Sequence, residues 1–439
     1  MRRPTLGVIW LTVFLDLVGF GIVVPLVPLL GRDWGAHGFV LGLIIASYSA
    51  LQFFCAPLWG RWSDRVGRRP ALLISTAGAA VSYVCFALST QVVKPSLALA
   101  LLALSRALAG ACGGNITVAQ AYIADITPAA DRSQRMGLIG MAFGLGFILG
   151  PMVGAMSLKW WGWGGPGWVA AALCGLNFVL AWAILVESRR PGTGPVVQRP
   201  HWVQYLHTLR TPKVGLLVMV FFLATFAFSC FESTLPLVVS DNFGLNLDED
   251  NRSAATVVCL FAYCGILGAV LQGGAVGRLV RWLGEVRLIV VSLVCTACSL
   301  AMLPFIRGDG ALSWALLMRA EGAGWWALLA ALALLSVGSS LTRPPLLGLI
   351  SNLTHESEQG ATLGVAQGLG SLARVLGPIF ANTTLHYLVP LPYLACSVLL
   401  LLVAALLVRG WGGRTPMTSA KPVGEQPSRA EVDREAAGF

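Results

Sequence analysis

A chain of 439 residues that is 56% hydrophobic and only 11% charged departs far from soluble globular usage, where charged residues make up about a quarter. Together with a mean hydropathy of +0.75, this excludes a disordered protein and an ordinary cytosolic enzyme and implies a polytopic α-helical membrane protein. The net charge of +10 does not point to nucleic acid, because the basic residues sit in short runs between apolar stretches rather than on one folded face.

A bilayer core takes about 20 apolar residues per helix. The first such run spans 6–30. Arg2 and Arg3 precede it, but it is too long for a signal-peptide core and no small-residue cleavage site follows before Arg32, so a retained first span is expected. Further runs lie at 38–60, 70–90, 97–124, 136–158 and 166–187, then at 214–240, 253–277, 287–306, 325–353, 361–385 and 391–409. The expected fold is an all-α membrane protein of twelve transmembrane helices in two pseudo-symmetric six-helix bundles, 1–187 and 214–409. A cytoplasmic linker (188–213) joins them and a polar, disordered cytoplasmic tail (410–439) follows. Within the linker, residues 201–210 read as a short helix on the membrane surface, with Trp202 and Tyr205 at the interface.

With the N-terminus inside, 21 of the 30 Lys and Arg fall in inside segments and six outside, so both termini are expected in the cytoplasm of a multi-pass cell-membrane protein. The two halves also echo each other. Gly60–Arg61, Asp64 and Gly67 match Gly277–Arg278, Arg281 and Gly284 at an offset of 217. Thr127, Asp131, Gly137 and Gly150–Pro151 match Thr354, Glu358, Gly364 and Gly377–Pro378 at an offset of 227. Repeated six-helix halves are a transporter architecture, with the substrate site near the midplane between them.

Charges within spans cost about 2.5–3.5 kcal/mol each at the bilayer centre, so they should face a cavity or one another. The spans carry Asp16, Arg106, Glu232, Arg343 and Arg374. Asp16 and Glu232 are the acids well inside spans, each in the first helix of its half, and are candidates for proton coupling with Arg106. The alternative is static pairing, Asp16 with Arg106 for example. Arg343 and Arg374 could pair with Glu232 or meet an anionic part of a substrate, and Asn115, Gln120 and Gln367 could line the same cavity. Gly146, Gly150 and Gly154, every fourth residue, form one flat helix face for close packing, with Pro151 allowing a bend. The ten cysteines nearly all lie in apolar runs and read as buried thiols; even the Cys295/Cys298 pair lacks further ligands, so neither disulfide nor metal is expected.

The loop GRWSDRVGRRP (60–70) resembles the signature of the major facilitator superfamily. Arg106 with Gly110 looks like its fourth-helix motif, and Gly146–Gly150–Pro151–Gly154 resembles its antiporter motif, although Ala155 stands where a second glycine is usual. The first span, with Asp16, Gly19, Pro25 and Pro28, is similar to twelve-span drug/proton antiporters. AYIADIT (121–127) and FGLGFILGP (143–151) are similar to bacterial tetracycline/proton antiporters, and GSLARVLGP (370–378) to their animal counterparts. The resemblance implies a cytoplasmic latch built from Gly60, Asp64, Arg65, Gly67, Arg68 and Arg69. In it Asp64 meets the helix that begins near Glu358–Ala361, and Arg68 or Arg69 meets Asp125. By the same resemblance, tetracycline pumps carry an acid in helix three where Ser82 stands here and another in helix nine where Thr296 or its neighbours stand, so tetracycline itself is not expected.

The function expected is secondary active transport: proton-coupled efflux of a small amphipathic organic molecule by alternating access, driven by a proton gradient without a cofactor. The alternative is an organic-anion importer or facilitator that uses Arg106, Arg343 and Arg374. The partners expected are substrate, protons and the lipid bilayer, with no nucleic acid, and the chain is expected to act as a monomer. An enzyme is not expected: His37, His201, His207 and His386 have no catalytic partners in sequence, and His355 beside Glu356 and Glu358 reads as a solvated turn.

Overall fold

The computed structural model describes residues 6–23, 26–35, 39–188, 200–245, 251–310, 312, 322–385 and 387–411. Most of the expected tail, part of the linker, and His37 and His386 lie outside the described residues. Among the described residues, twelve helices are long and apolar enough to cross a membrane. In the first half the helices are α1 (Leu6–Val23), α2 (Leu26–Asp33), α3 (Phe39–Val66), α4 (Arg68–Ser89), α5 (Pro95–Cys112), α6 (Asn115–Ile126), α7 (Arg132–Trp161) and α8 (Gly165–Ile184). The linker helix α9 (His201–Arg210) leads to α10 (Val214–Phe243), α11 (Asn251–Val270), α12 (Val276–Leu283), α13 (Glu285–Met302), α14 (Ala323–Leu353), α15 (Gln359–Leu385) and α16 (Pro390–Trp411).

The spans differ from uniform rods where the backbone chemistry requires it. The fourth span, Pro95–Ile126, breaks at Gly113–Gly114 into α5 and α6. In a bilayer the carbonyls freed at such a break must find protein donors. Trp59 Nε1 donates to Ala111 O at 2.6 Å, Ser75 Oγ to Cys112 O at 2.6 Å and Gln52 Nε2 to Gly113 O at 3.0 Å. The eighth span carries a π-helical turn, Leu271–Ala275, between α11 and α12.

The internal repeat recurs in the backbone. Gly67 and Gly284 both have positive φ, 112° and 76°, at the turns entering α4 and α13, a conformation glycine adopts without penalty. Thr127 and Thr354 are both extended and each precedes a 3₁₀ turn, Ala129–Asp131 or Glu356–Glu358, that leads into the next helix.

Gly146, Gly150 and Gly154 of α7 face α1. A Cβ at Gly150 would stand 2.6 Å from the Gly21 backbone, and one at Gly154 would stand 3.0 Å from Ile22 O. With no apolar driving force between helices in lipid, such close approach is what holds them. Gly150→Ala should therefore lower stability by about 1–3 kcal/mol, the scale of overpacking. Gly175→Ala, whose Cβ meets nothing within 4 Å, should be neutral. Thermal unfolding of the two variants in detergent checks the contrast.

The linker helix differs from expectation in one respect. Trp202 is 59% exposed, with Val203 and Leu206 also on the outer face, which suits an interface. Tyr205 turns inward instead: it is buried, donates to Phe53 O of α3 at 2.8 Å and packs on Gly368 of α15. Its ring fills the groove that the glycine leaves, which offers more contact than the headgroup region.

Candidate functional site

Three clusters of polar side chains interrupt the apolar spans. The first surrounds Asp16, a buried carboxylate in the middle of α1. The break after α5 makes Asn115 the first residue of α6 and aims its carboxamide at Asp16 Oδ2. Asn177 of α8 donates to Asp16 Oδ1 at 2.9 Å and to Thr12 O at 2.8 Å, and Cys174 lies 3.7 Å from Oδ1. A small cavity of about 30 Å³ adjoins the carboxylate, lined also by Phe20, Tyr48, Tyr83 and Ile116.

The static pair Asp16–Arg106 does not form. Both Asp16 oxygens are taken by carboxamides, and no ion pair within 4.0 Å joins the two residues among those described. Arg106 is 3% exposed; its guanidinium lies 6.0 Å from the Tyr83 ring centre and 5.8 Å from that of Phe86. It bonds Ser105 Oγ at 3.3 Å, and its Nε has no hydrogen-bond partner.

The second cluster belongs to the other half. Glu232 of α10 is exposed within its span and interacts electrostatically with Arg343 of α14 and Arg374 of α15. An exposed carboxylate within reach of two arginines is far cheaper facing a wet space between helices than facing lipid. No ion pair within 4.0 Å joins Glu232 to either arginine among the described residues. Arg343 stacks on Phe228 at 5.5 Å. Arg374 donates to Gln52 Oε1 at 2.7 Å and Ser371 Oγ at 2.9 Å. Gln120 is buried with its Oε1 unpartnered, and Gln367 is half-buried on α15.

The third cluster clasps the two halves at the end of the bundle that bears the linker. Asp64, fully buried, accepts from the first free amides of α15, Gly360 N at 3.2 Å and Ala361 N at 2.9 Å. A carboxylate is favoured at a helix N-terminus by its unpaired N–H groups and its dipole. Arg68 reaches Asp64 at 2.6 Å and Asp125 at 3.0 Å, which decides between the two arginines: Arg69 donates instead to Trp182 O at 2.8 Å. Gly60 meets Gly360 so closely that a Cβ there would run into the Gly360 carbonyl oxygen. Arg65 is exposed, and Glu358 pairs with His207 of the linker helix at 3.8 Å. A second set of contacts runs from the start of α7: Arg132 donates to Ser351 O at 3.3 Å and Asn352 Oδ1 at 3.2 Å, and Ser133 Oγ donates to Glu285.

Sequence reasoning missed Asn177, Gln52 and Glu187. The Glu187 carboxylate accepts from Arg68 N at 2.8 Å and Arg69 N at 3.0 Å, capping α4 beneath the positive-φ Gly67. Only the "VESRR" run at the end of the sixth span hinted at it. Ser82 and Thr296, the positions where acids are absent, bond backbone carbonyls of their own helices, Ala79 O at 2.7 Å and Ser292 O at 2.9 Å.

Comparison with known proteins gives a consistent relationship. A family model described as Major Facilitator Superfamily matches residues 9–320. The chain is 31% identical to the class E tetracycline resistance protein of Escherichia coli, over 84% of each chain. It is 29% identical to human major facilitator superfamily domain-containing protein 10, over 87% of each. It superposes on the crystal structure of the human organic anion transporter MFSD10 (TETRAN) with a TM-score of 0.74 at 26% identity, covering 92% of this chain and 100% of that one.

Proposed function

The chain belongs to the major facilitator superfamily, and from that premise we propose that it exports an amphipathic organic molecule in exchange for protons, by alternating access. The two six-helix halves rock about a midplane cavity, the linker and both termini face the cytoplasm, and one copy of the chain suffices. In this arrangement the structure is the outward-facing state, its cytoplasmic side held by Asp64, Arg68 and the start of α7.

The observation that carries the coupling is the Asp16 cluster. Its charge is held by neutral carboxamides and not by Arg106, so protonation, rather than re-pairing, is the step that removes it. Glu232 offers a second carboxylate across the cavity. A ligand shifts such an equilibrium only by binding the two orientations differently, and loss or gain of a proton on these groups supplies that difference. Tetracycline is not the substrate proposed, since Ser82 and Thr296 replace the acids of tetracycline pumps.

A second reading, exchange or uptake of an organic anion, is favoured by the surplus of Arg106, Arg343 and Arg374 over Asp16 and Glu232, and by the similarity to MFSD10. Counterflow in proteoliposomes with an amphipathic cation, anion and zwitterion tests transport and ranks the classes. Saturable exchange of at least one is expected; exchange of none, by protein that is folded, would contradict both readings. Arg374→Ala should weaken an anionic probe roughly tenfold or more, the scale of one charge-assisted bond, and a neutral one little.

A further inference from the structure

We infer that Gln52 holds Arg374 captive while the linker side is closed, so that opening of that side is conditional on another partner for the arginine. The inference rests on the alternating opening proposed above and makes Gln52 a positioning residue that acts through Arg374.

Gln52 lies in the middle of α3 and is 3% exposed. Its amide is used at both ends. Nε2 donates to Gly113 O at 3.0 Å, at the break that aims Asn115 at Asp16. Oε1 accepts from Ser371 Oγ at 2.8 Å and from Arg374 at 2.7 Å. The first contact lies within the N-terminal half and the other two cross to the C-terminal half. They are the deepest of the hydrogen bonds that join the halves among the described residues; the rest lie at the linker end, from Asp64, Ala129, Arg132 and Ser133.

Separation of the halves on the linker side must break the crossing bonds and can leave the Gly113 bond intact. A guanidinium left with only the Ser371 hydroxyl of its own helix inside a membrane is costly, so it must take another acceptor, and an oxyanion is the strongest. Glu232, whose charge acts on Arg374 without an ion pair in the closed state, or an acidic group of a ligand provides one. Gln52 therefore ties the Asp16 half to the charge state of the Glu232 half through one side chain.

The test is hydrogen exchange of full-length protein in nanodiscs, without ligand or proton gradient, read on the segment holding Gly360 and Ala361. Those amides are protected by Asp64 while the linker side is closed. Gln52→Leu should speed their exchange roughly tenfold or more, the scale of one hydrogen bond to a charged group. Gln52→Glu loses the donor to Gly113 O, a bond within one half, but keeps the acceptor that crosses to Arg374 and gives it a charge, and should exchange several-fold more slowly than the unmodified protein. In an Arg374→Ala background, adding Gln52→Leu should accelerate exchange only a few-fold at most, since the neutral Ser371 bond alone is then left to lose, whereas a merely structural loosening would act equally in both backgrounds. Unchanged exchange in Gln52→Leu, or equal acceleration with and without Arg374, overturns the inference. Should Gln52→Leu fail to fold, Gln52→Glu decides: exchange as fast as the unmodified protein or faster overturns it. Since no proton flux is read, failure of proton coupling leaves this result standing, and the reverse holds too.

Discussion

Asp64→Ala is expected to release the linker side and abolish net transport while leaving the helices assembled. The carboxylate satisfies two α15 amides and the fully buried Arg68 at once. Its removal strands a guanidinium in an apolar wall, and breaking a buried pair in this way typically costs about 3–5 kcal/mol. Asp125 still holds Arg68 from the other side, which limits the damage to the fold and directs the loss to the closed state. The Arg68 part of that cost falls on both orientations, because Asp64 and Arg68 belong to the same half; the two Asp64–α15 bonds exist only while the halves touch, and at about 1.5–3 kcal/mol per bond to a charged group their loss is enough to invert a two-state population. Thiol labelling from the linker side, at a cysteine introduced along the α3–α15 seam, should rise by at least tenfold. Asp64→Asn should behave similarly, because the amide nitrogen it introduces has no acceptor at a helix N-terminus. Labelling that stays at the level of the unmodified protein would mean that the clasp does not set the orientation.

Asp16→Asn is expected to remove proton-driven movement while preserving exchange of substrate. Asparagine fits the space of the carboxylate and its oxygen still accepts from Asn115 or Asn177, so insertion and packing should persist. What it cannot do is gain or lose a proton. Counterflow, which needs only the two orientations to interconvert, should continue at a rate within a fewfold of the unmodified protein. Proton-driven accumulation should fall to the level of empty liposomes. Accumulation that survives would remove Asp16 from the mechanism and transfer the coupling to Glu232.

The twelve spans and their duplication were legible because membrane helices are written in hydropathy and turns in glycine. Gly67 and Gly284 mark equivalent turns in the sequence and carry the same positive φ in the structure. Contacts of Asp64 with the start of α15 and of an arginine with Asp125 were implied by a resemblance, which left Arg68 and Arg69 undecided; the Asp64–Arg68 pair was not foreseen. The partners of Asp16 were less legible. Asn177 lies 161 positions from Asp16 in sequence and has no local motif, and the role of Gln52 depends on Arg374, 322 positions away. A single charge pattern suggested Asp16 with Arg106 because opposite charges are the simplest way to satisfy a buried pair; neutral carboxamides satisfied the acid instead, while aromatic faces took the arginine. Tyr205 was placed at the interface by composition, whereas the groove over Gly368, invisible in one dimension, drew it inward.

The most direct test of proton-coupled alternating access is proton flux in proteoliposomes loaded with a pH-sensitive dye, on addition of whichever probe shows counterflow. The expected result is a substrate-dependent pH change that saturates with substrate, runs opposite to the movement of the probe and disappears in Asp16→Asn. Saturable movement of an anionic probe with no accompanying pH change in the unmodified protein would contradict it and assign the cavity to the arginines.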